Sequence, residues 1–263
     1  MTVEKCYKLV IEYDGTCYSG WQRQKDQSTI QETIERVLSQ LVQQSVVVNG
    51  SGRTDAGVHA LGQVASFRCR SRLSPSAFQK AMNSLLPRDI VIRDCCEVPD
   101  NFHARFDAVS KIYHYRILND PIPSAIERNY SWHIQKQLDI AAMRHALQYL
   151  VGTHDFKAFE GTGSPRIHTI RTIHTAEVVE KENGYWTVVI KGNGFLRHMV
   201  RNIVGTLVDI GMRKTASEDM ERILLSRDRH QAAVTAPAQG LFLMEVHYKQ
   251  DDSVPEPLQQ PVF

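Results

Sequence analysis

The residues best suited to chemistry lie in the stretch Gly52–His59, whose sequence is GRTDAGVH. This stretch places the guanidinium of Arg53 two residues before the carboxylate of Asp55. If the segment is extended, the two side chains point the same way, as an acid and a cation around one ligand would. Glycines at positions 50, 52, 57 and 62 exceed what one turn needs, which indicates close approach by another backbone or a ligand.

A plain turn is the simpler explanation of the same residues. Asp near Gly is common turn chemistry, because Asp bonds its own backbone and Gly adopts positive φ. Strand-like runs at 46–48 and 63–67 flank the stretch, so we expect Asp55 on a loop between two strands. The loop by itself fits a turn and a functional site equally well.

Length and composition indicate an ordinary globular protein. A chain of 263 residues with 42% hydrophobic and 23% charged residues forms one large domain or two small ones. The five cysteines lack CxxC spacing and the eleven histidines form no HxxxH motif, so we expect no disulfides and no metal. The sequence contains no signal-like or membrane-spanning apolar run, which predicts a cytoplasmic protein without a membrane partner.

Three arginines near residue 70 raise the question of an anionic ligand. The formal net charge of +2 argues against a strongly basic coat, but it leaves room for a local basic cleft. Arg68, Arg70 and Arg72 alternate with smaller residues, so in a strand they would share one face. A solvated face explains them, but an anionic ligand is favoured because like charges on one face repel.

Hydrophobic periodicity divides the chain into two halves of similar plan, 1–107 and 108–250, followed by a tail at 251–263 that we expect to be disordered. Strands are predicted at 7–13, 90–92, 112–118, 175–180, 185–191 and 241–248, and helices at 75–86, 139–151, 196–208 and from residues 28 and 217. Ser28 with Gln31 fits a capping box, and Asn183-Gly184 fits a hairpin turn. The fold prediction is α+β: two similar α/β subdomains whose mostly antiparallel sheets join into one extended sheet. Helices would lie outside, and a ligand would bind in the central cleft.

Two further features, an arginine pair and a tyrosine, carry alternatives that spacing does not resolve. Arg197 and Arg201 lie four apart on the helix predicted after Gly194. Two surface arginines are the commoner explanation, and a cleft arginine that pairs with Asp55 or a phosphate is the functional one. Tyr113 and Tyr115 share one face of a predicted strand, with His114 and Arg116 on the other, so Tyr113 belongs to the core or stacks on a nucleobase.

Eight sequence blocks, taken together and in order, resemble the tRNA pseudouridine synthase A family. They span residues 13–15, 20–22, 52–59, 102–106, 111–115, 152–156, 198–205 and 236–241. The resemblance covers nearly the whole chain up to residue 250. It implies an isomerase that converts uridine to pseudouridine in the tRNA anticodon stem-loop, at positions 38, 39 and 40. It also implies a cytoplasmic homodimer with an RNA-binding cleft and with no cofactor or metal.

The resemblance assigns roles to four residues. Asp55 would be the catalytic carboxylate, and Arg201 would pair with it. Tyr113 would stack on the target base, and Arg53 would hold the flipped nucleotide. Whether Asp55 attacks C1′ of the ribose or C6 of the pyrimidine stays open.

The sequence departs from the family pattern in two places. The stretch 160–166 is rich in glycine, and Arg197 stands where an aromatic residue or His is more usual. Both departures bear on which uridine is chosen. Two rival functions remain at this point: a catalytically silent or re-targeted RNA-binding paralogue, and a nucleoside hydrolase that would need a second carboxylate near Asp55.

Overall fold

The computed structural model describes residues 3–163 and 168–249, so the tail predicted at 251–263 lies outside the described residues. Ten strands occur in this part of the chain: β1 (Glu4–Tyr13), β2 (Asn49–Gly50), β3 (His59–Arg70), β4 (Ile90–Val98), β5 (Ala108–Asn119), β6 (Trp132–Ile134), β7 (Gly152–Asp155), β8 (Ile170–Glu180), β9 (Tyr185–Gly192) and β10 (Leu241–Tyr248). The same residues form five α-helices: α1 (Ile30–Val42), α2 (Pro75–Leu85), α3 (Ile140–Gln148), α4 (Met199–Gly211) and α5 (Asp219–Ser226).

The ten strands form one sheet that runs through both halves of the chain. Its order is β4-β1-β3-β10-β5-β9-β8-β7, with β2 beside β3 and β6 beside β5. Neighbouring strands are antiparallel except for the pairs β3 with β10 and β5 with β6. The prediction of an α+β fold with one extended, mostly antiparallel sheet is therefore confirmed. The division of the chain at residue 107 stays a prediction. Among the described residues, no helix has the length and apolar character to span a membrane.

Alternating burial along β1 shows which face of the sheet the helices cover. Odd-numbered residues from 7 to 13 are almost fully buried, whereas the even-numbered residues between them are half-buried. Tyr7 stacks on Phe67 of β3 with ring centroids 5.2 Å apart, and it meets Phe78 of α2 edge to face at 5.0 Å. A burial period of two is what a strand with one covered face requires. Helix α2 thus packs on the face that carries the odd-numbered residues of β1.

A row of four paired residues crosses the junction between the two halves. Tyr13 pairs with Ala60, Ala60 pairs with Leu243, and Leu243 pairs with Tyr113. Paired residues on adjacent strands point to the same face of a sheet. Tyr13 and Tyr113 therefore lie on one face, with Cα atoms roughly 14 Å apart at the usual strand spacing. The fully buried Ala60 and Leu243 lie between them, so the core is continuous beneath the junction.

The predicted cap of the first helix is wrong by one residue. Thr29, rather than Ser28, caps α1, and its side chain accepts from the Glu32 N–H. The physical reason is that the first helical N–H groups have tertiary partners. Ile30 N–H donates to the Gly20 carbonyl, and the next N–H along the helix donates to the Trp21 carbonyl. The start of α1 is consequently fixed by the loop before it.

The hairpin predicted between two strands of the second half is confirmed. β8 and β9 are antiparallel and are joined at Asn183-Gly184. Both turn residues have positive φ, 58° for Asn183 and 77° for Gly184. Asn and Gly tolerate that conformation, which matches the right-handed twist of the strands.

The arginine cluster of the first half is shorter than predicted. β3 ends at Arg70, so Arg72 lies beyond the strand and does not share its face. Arg68 and Arg70 are both exposed, as an alternating pair should be. Arg68 donates to the Asp100 carbonyl, and Arg70 lies opposite Glu4 in the register of β1 and β3. Each therefore has a neighbour within the protein, and the anionic ligand stays a prediction.

His114 of β5 should make the stability of the fold depend on pH. Burial, followed by the positive charges of Arg116 and Lys181, lowers the pKa of His114 from 6.5 to about 4. The unfolded chain takes up this proton as the pH falls below 6.5, whereas the folded chain resists protonation until about pH 4. Stability on the order of 3 kcal/mol that is present above pH 6.5 is therefore lost progressively as the pH falls from 6.5 to about 4.

We expect the variant His114→Gln to lose less stability than the wild type between pH 7 and pH 4, measured by urea unfolding. The matched control is His145→Gln, because the His145 side chain is 54% exposed. That control should follow the wild-type curve. Parallel curves for His114→Gln and the wild type would contradict the assignment.

Candidate active site

The Gly52–His59 stretch forms the loop between β2 and β3, and residues of the first strand and the following loop fix its position. The Thr54 carbonyl accepts a hydrogen bond from the Trp21 N–H at 3.0 Å. The hydroxyl groups of Thr54 and Tyr13 are 2.8 Å apart. Because Thr54 is held through its backbone and its side chain, the position of the neighbouring Asp55 is set by the sheet.

Gly20 allows these two loops to approach each other. It has φ of +91°, and a Cβ at this position would lie 2.6 Å from the Thr54 carbonyl oxygen. A side chain here would therefore collide with backbone and would also require a strained conformation. Glycine is thus required at position 20 on structural grounds, because it allows the loop before α1 to pack against the Asp55 loop.

The structure brings Asp55 together with Arg201 from the other half of the chain. Nη1 of Arg201 donates to Oδ2 of Asp55 at 3.0 Å. The Arg201 side chain is 15% exposed and the Asp55 side chain is 26% exposed. The pair is thus partly shielded from solvent, which strengthens its electrostatic interaction, while the carboxylate remains open to a ligand.

Helix α4 and the segment before β10 hold Arg201 in place. Its Nε donates to the Ala236 carbonyl at 2.8 Å, and its own carbonyl accepts from the Ala236 N–H at 3.1 Å. The guanidinium is thereby bound along one edge to the backbone and along another to Asp55. Such a group has little freedom to turn away from the carboxylate.

His198 is a third member of the site that the sequence analysis did not identify. Its Nε2 lies 3.5 Å from Oδ2 of Asp55. It precedes α4 in the left-handed region, with φ of 59°. Burial lowers the pKa of His198, the charge of Asp55 opposes this effect, and the charge of Arg201 adds to it. The imidazole is therefore neutral at pH 7. The sequence does contain a signal for this residue: His198 lies three residues before Arg201, and residues three apart lie on one side of a helix.

Both neighbours of Asp55 meet the same carboxylate oxygen. Arg201 and His198 face Oδ2. Within residues 3–163 and 168–249, Oδ1 has no hydrogen bond or ion pair. The carboxylate is thus held by one oxygen and presents the other.

Tyr113 lies in the buried row described above and is 7% exposed. Its ring meets Phe195 edge to face, with centroids 5.0 Å apart. Burial raises the pKa of Tyr113 well above its usual value, and the negative charge of Asp55 raises it further. The Tyr113 hydroxyl is therefore protonated at neutral pH and is a hydrogen-bond donor close enough to Asp55 to feel its charge.

Arg53 does not join the Asp55 pair. It is exposed, and its Nε donates to Oε1 of Gln22 at 2.9 Å. No hydrogen bond or ion pair links Arg53 to Asp55 in the described part of the chain. The extended spacing that suggested a shared direction therefore does not produce direct contact between the two side chains.

The two departures from the family pattern lie beside each other. Arg197 is exposed, and its Nη1 donates to the Thr162 carbonyl at 3.2 Å. The Gly161 N–H donates to the Arg197 carbonyl at 2.7 Å. The remainder of this glycine-rich stretch, 164–166, lies outside the described residues. Arg197 and the start of the stretch thus border His198.

A family model and similar relatives identify the same family. A model of a family described as tRNA pseudouridine synthase matches residues 9–107 and 146–249. The tRNA pseudouridine synthase A of Ruminiclostridium cellulolyticum is 48% identical over 241 residues, which cover 92% of this chain and 98% of that protein. The corresponding protein of Acetivibrio thermocellus is 47% identical with the same coverage. A protein of Clostridium tetani named tRNA pseudouridine synthase A 2 is 46% identical over 92% of this chain and 98% of its own length.

These matches define the class of this protein, and the chain belongs to the tRNA pseudouridine synthase family. The relatives just described all carry the name tRNA pseudouridine synthase A, so the resemblance found in the sequence is confirmed.

Proposed function

We propose that this protein isomerises uridine to pseudouridine in tRNA, at positions 38, 39 and 40 of the anticodon stem-loop, with Asp55 as its catalytic carboxylate. The observation that carries the proposal is the contact between Asp55 and Arg201. It joins side chains 146 residues apart, in a chain 48% identical to a curated tRNA pseudouridine synthase A.

The reaction sets clear demands on the site. The N1–C1′ bond of uridine breaks, the uracil turns, and a C5–C1′ bond forms. The C5 proton then leaves to solvent, and N1 takes up a proton. Nothing is oxidised or lost from the RNA, so the balance needs no redox partner. It needs a carboxylate nucleophile and groups that hold the base.

Asp55 meets the first demand. Its Oδ1 is the oxygen free to attack, at C1′ or at C6, while Arg201 and His198 face Oδ2. Arg201 keeps the carboxylate aligned by its hydrogen bond. The neutral imidazole of His198 adds a polar neighbour without a second full charge.

The second demand is met by groups around the carboxylate. A base inside a stem-loop must leave its stack before reaction, which costs a few kcal/mol. Tyr113 supplies an aromatic ring near Asp55 that offsets part of this cost by stacking. Arg53 is exposed two residues before Asp55 and holds the flipped nucleotide. The RNA lies in the cleft between the two halves.

The assembly and location follow from the family resemblance. We propose that the protein is a homodimer that acts in the cytoplasm. Its two subunits together bind the tRNA anticodon stem-loop. No cofactor or metal takes part in the proposed reaction.

The rival functions predict different products. A silent or re-targeted paralogue would bind tRNA without isomerising these uridines. A hydrolase would release free uracil and would need a second carboxylate. One acid that sequence alone cannot place beside Asp55 is Asp155, which accepts from the Thr169 hydroxyl at 2.5 Å and pairs with Arg227 at 3.2 Å.

The experiment that tests the proposal uses the purified protein and tRNA transcripts labelled with tritium at C5 of uridine. Tritium should appear in solvent, and pseudouridine should be mapped to positions 38, 39 and 40. Transcripts with cytidine at these positions are the control and should release nothing. Free uracil, or tRNA binding without tritium release, would overturn the proposal.

Removing the guanidinium beside Asp55 should slow the reaction strongly. We expect Arg201→Gln to reduce the single-turnover rate on the order of 100-fold, because one preorganised charge at the reacting group is lost. The rate is measured by tritium release at saturating protein, which separates chemistry from binding.

A matched control for this variant is Arg213→Gln. Arg213 also pairs with a carboxylate, Asp139 at 3.1 Å, but it is 81% exposed. We expect its loss to leave the rate within about twofold of wild type, as for most surface pairs. A wild-type rate in Arg201→Gln would remove Arg201 from the proposed mechanism.

A further inference from the structure

Gln22 binds the guanidinium of Arg53 along a single edge. Oε1 of Gln22 accepts from Nε of Arg53 at 2.9 Å. In the part of the chain that the structure describes, the two Nη nitrogens of Arg53 have no hydrogen bond or ion pair. One edge of the fork is thus bound to the protein, and the other edge faces outward from an exposed side chain.

The orientation of the Gln22 amide follows from backbone groups that cannot reverse their roles. Oε1 of Gln31 accepts from the Arg23 backbone N–H at 3.0 Å, and Nε2 of Gln31 donates to the Val48 carbonyl at 2.9 Å. Since Oε1 of Gln31 is an acceptor, the group of Gln22 that meets it at 2.8 Å must be the donor Nε2. The carbonyl oxygen of Gln22 is therefore left for Arg53.

This chain of amides is anchored in the protein interior. Gln31 lies in the first turn of α1 and is 9% exposed. Its Nε2 also approaches Oε1 of Glu35 at 3.1 Å, and that oxygen accepts from the Val48 N–H at 3.0 Å. A buried carboxylate and a backbone segment thus fix Gln31, Gln31 fixes Gln22, and Gln22 fixes Arg53.

We propose that Gln22 is a positioning residue that holds Arg53 so that its two Nη nitrogens bind a backbone phosphate of the RNA. The inference rests on the proposed function. The two free nitrogens of a planar guanidinium can each donate a hydrogen bond to an oxygen of the same phosphate, which gives a two-point contact. Arg53 precedes Asp55 by two residues, so the phosphate is one adjoining the reacting nucleotide. Because the side chain is already held, less rotamer freedom is lost on binding.

The test measures how tRNA binding depends on salt. Affinities for an unmodified tRNA transcript are determined over a range of KCl concentrations, in an Asp55→Asn background that prevents turnover. One phosphate contact contributes about 0.7 to 0.9 to the slope of log K against log salt. We expect Arg53→Gln and Gln22→Met each to reduce the slope by that amount, and the double variant to reduce it no further.

The control is Gln24→Met, because Gln24 is an exposed neighbour whose one side-chain hydrogen bond, within residues 3–163 and 168–249, goes to the Ser19 carbonyl. Its slope should equal that of the background protein. Gln22→Asn keeps the amide but is one methylene too short, so it guards against a folding defect in Gln22→Met and should show the same reduced slope.

The outcomes separate this inference from the proposed function. An unchanged slope in both Gln22 variants, with a reduced slope in Arg53→Gln, would overturn the positioning role alone. An unchanged slope in Arg53→Gln would overturn the phosphate contact. A background protein that does not bind tRNA would overturn the proposed function, and the inference with it.

Discussion

The variant Asp55→Asn is expected to form pseudouridine at least about 1,000-fold more slowly than the wild type while remaining folded and able to bind tRNA. An amide has nearly the shape of the carboxylate, so the loop between β2 and β3 should keep its anchors at Tyr13 and Trp21. It lacks the negative charge that pairs with Arg201 and that attacks carbon in the proposed mechanism. The loss should therefore appear in the chemical step.

The measurement is tritium release under single-turnover conditions, accompanied by a tRNA-binding titration. Asp209→Asn is a closely matched control, because Asp209 is 27% exposed and pairs with Lys214 at 2.9 Å, much as Asp55 is 26% exposed and pairs with Arg201 at 3.0 Å. We expect that control to react at the wild-type rate. Appreciable activity in Asp55→Asn would show that another group is the nucleophile.

Of the substitutions that add only a methyl group to helix α4, Gly205→Ala should destabilise the fold most. A Cβ at this position would lie 1.8 Å from the Val234 carbonyl oxygen, so backbone would have to move. The gain of about 1 kcal/mol from replacing glycine inside a helix is smaller than the cost of this overlap. We expect a net loss of about 3 kcal/mol, equivalent to a fall in Tm of about 6 to 12 °C for a chain of this size.

The same shift should also reduce activity, because the segment after Val234 carries the Ala236 carbonyl that holds Arg201. Thermal unfolding and the single-turnover rate are the two measurements. Gly194→Ala is the control, since a Cβ at Gly194 would make only ordinary contact, 3.6 Å from the Arg171 side chain. Equal Tm values for Gly205→Ala and the wild type would contradict the close-approach argument.

Local patterns predicted much of the fold correctly. The hairpin at Asn183-Gly184 was recognisable because positive φ at two adjacent residues demands Asn or Gly. The last strand was predicted with the bounds that the structure gives, Leu241–Tyr248. These features depend on neighbours in sequence. The cap of α1 was missed because tertiary bonds from the Gly20 and Trp21 carbonyls decide where that helix begins.

The candidate site shows the limit of such patterns. Asp55 was recognisable as an acid on a loop, but spacing alone favoured a surface position for Arg201. The contact between them depends on how two halves of the sheet join, which no local period encodes. The family resemblance supplied that pairing. Neither periodicity nor resemblance indicated the amide chain from Gln31 through Gln22 to Arg53, because it needs side-chain geometry.

The junction between β3 and β10 has a consequence for synthesis of the protein on the ribosome. Among the described residues, two pairs make this parallel contact, Phe242 with His59 and Leu243 with Ala60. The first half emerges long before its partner strand, and long-range pairings of this kind form late. The surroundings of Asp55 are therefore complete only after Arg201 and the segment that holds it at Ala236 have been translated. A chain terminated before Arg201 would carry the GRTDAGVH loop without the proposed catalytic pair of Asp55 and Arg201, so we expect activity only after β10 has joined the sheet.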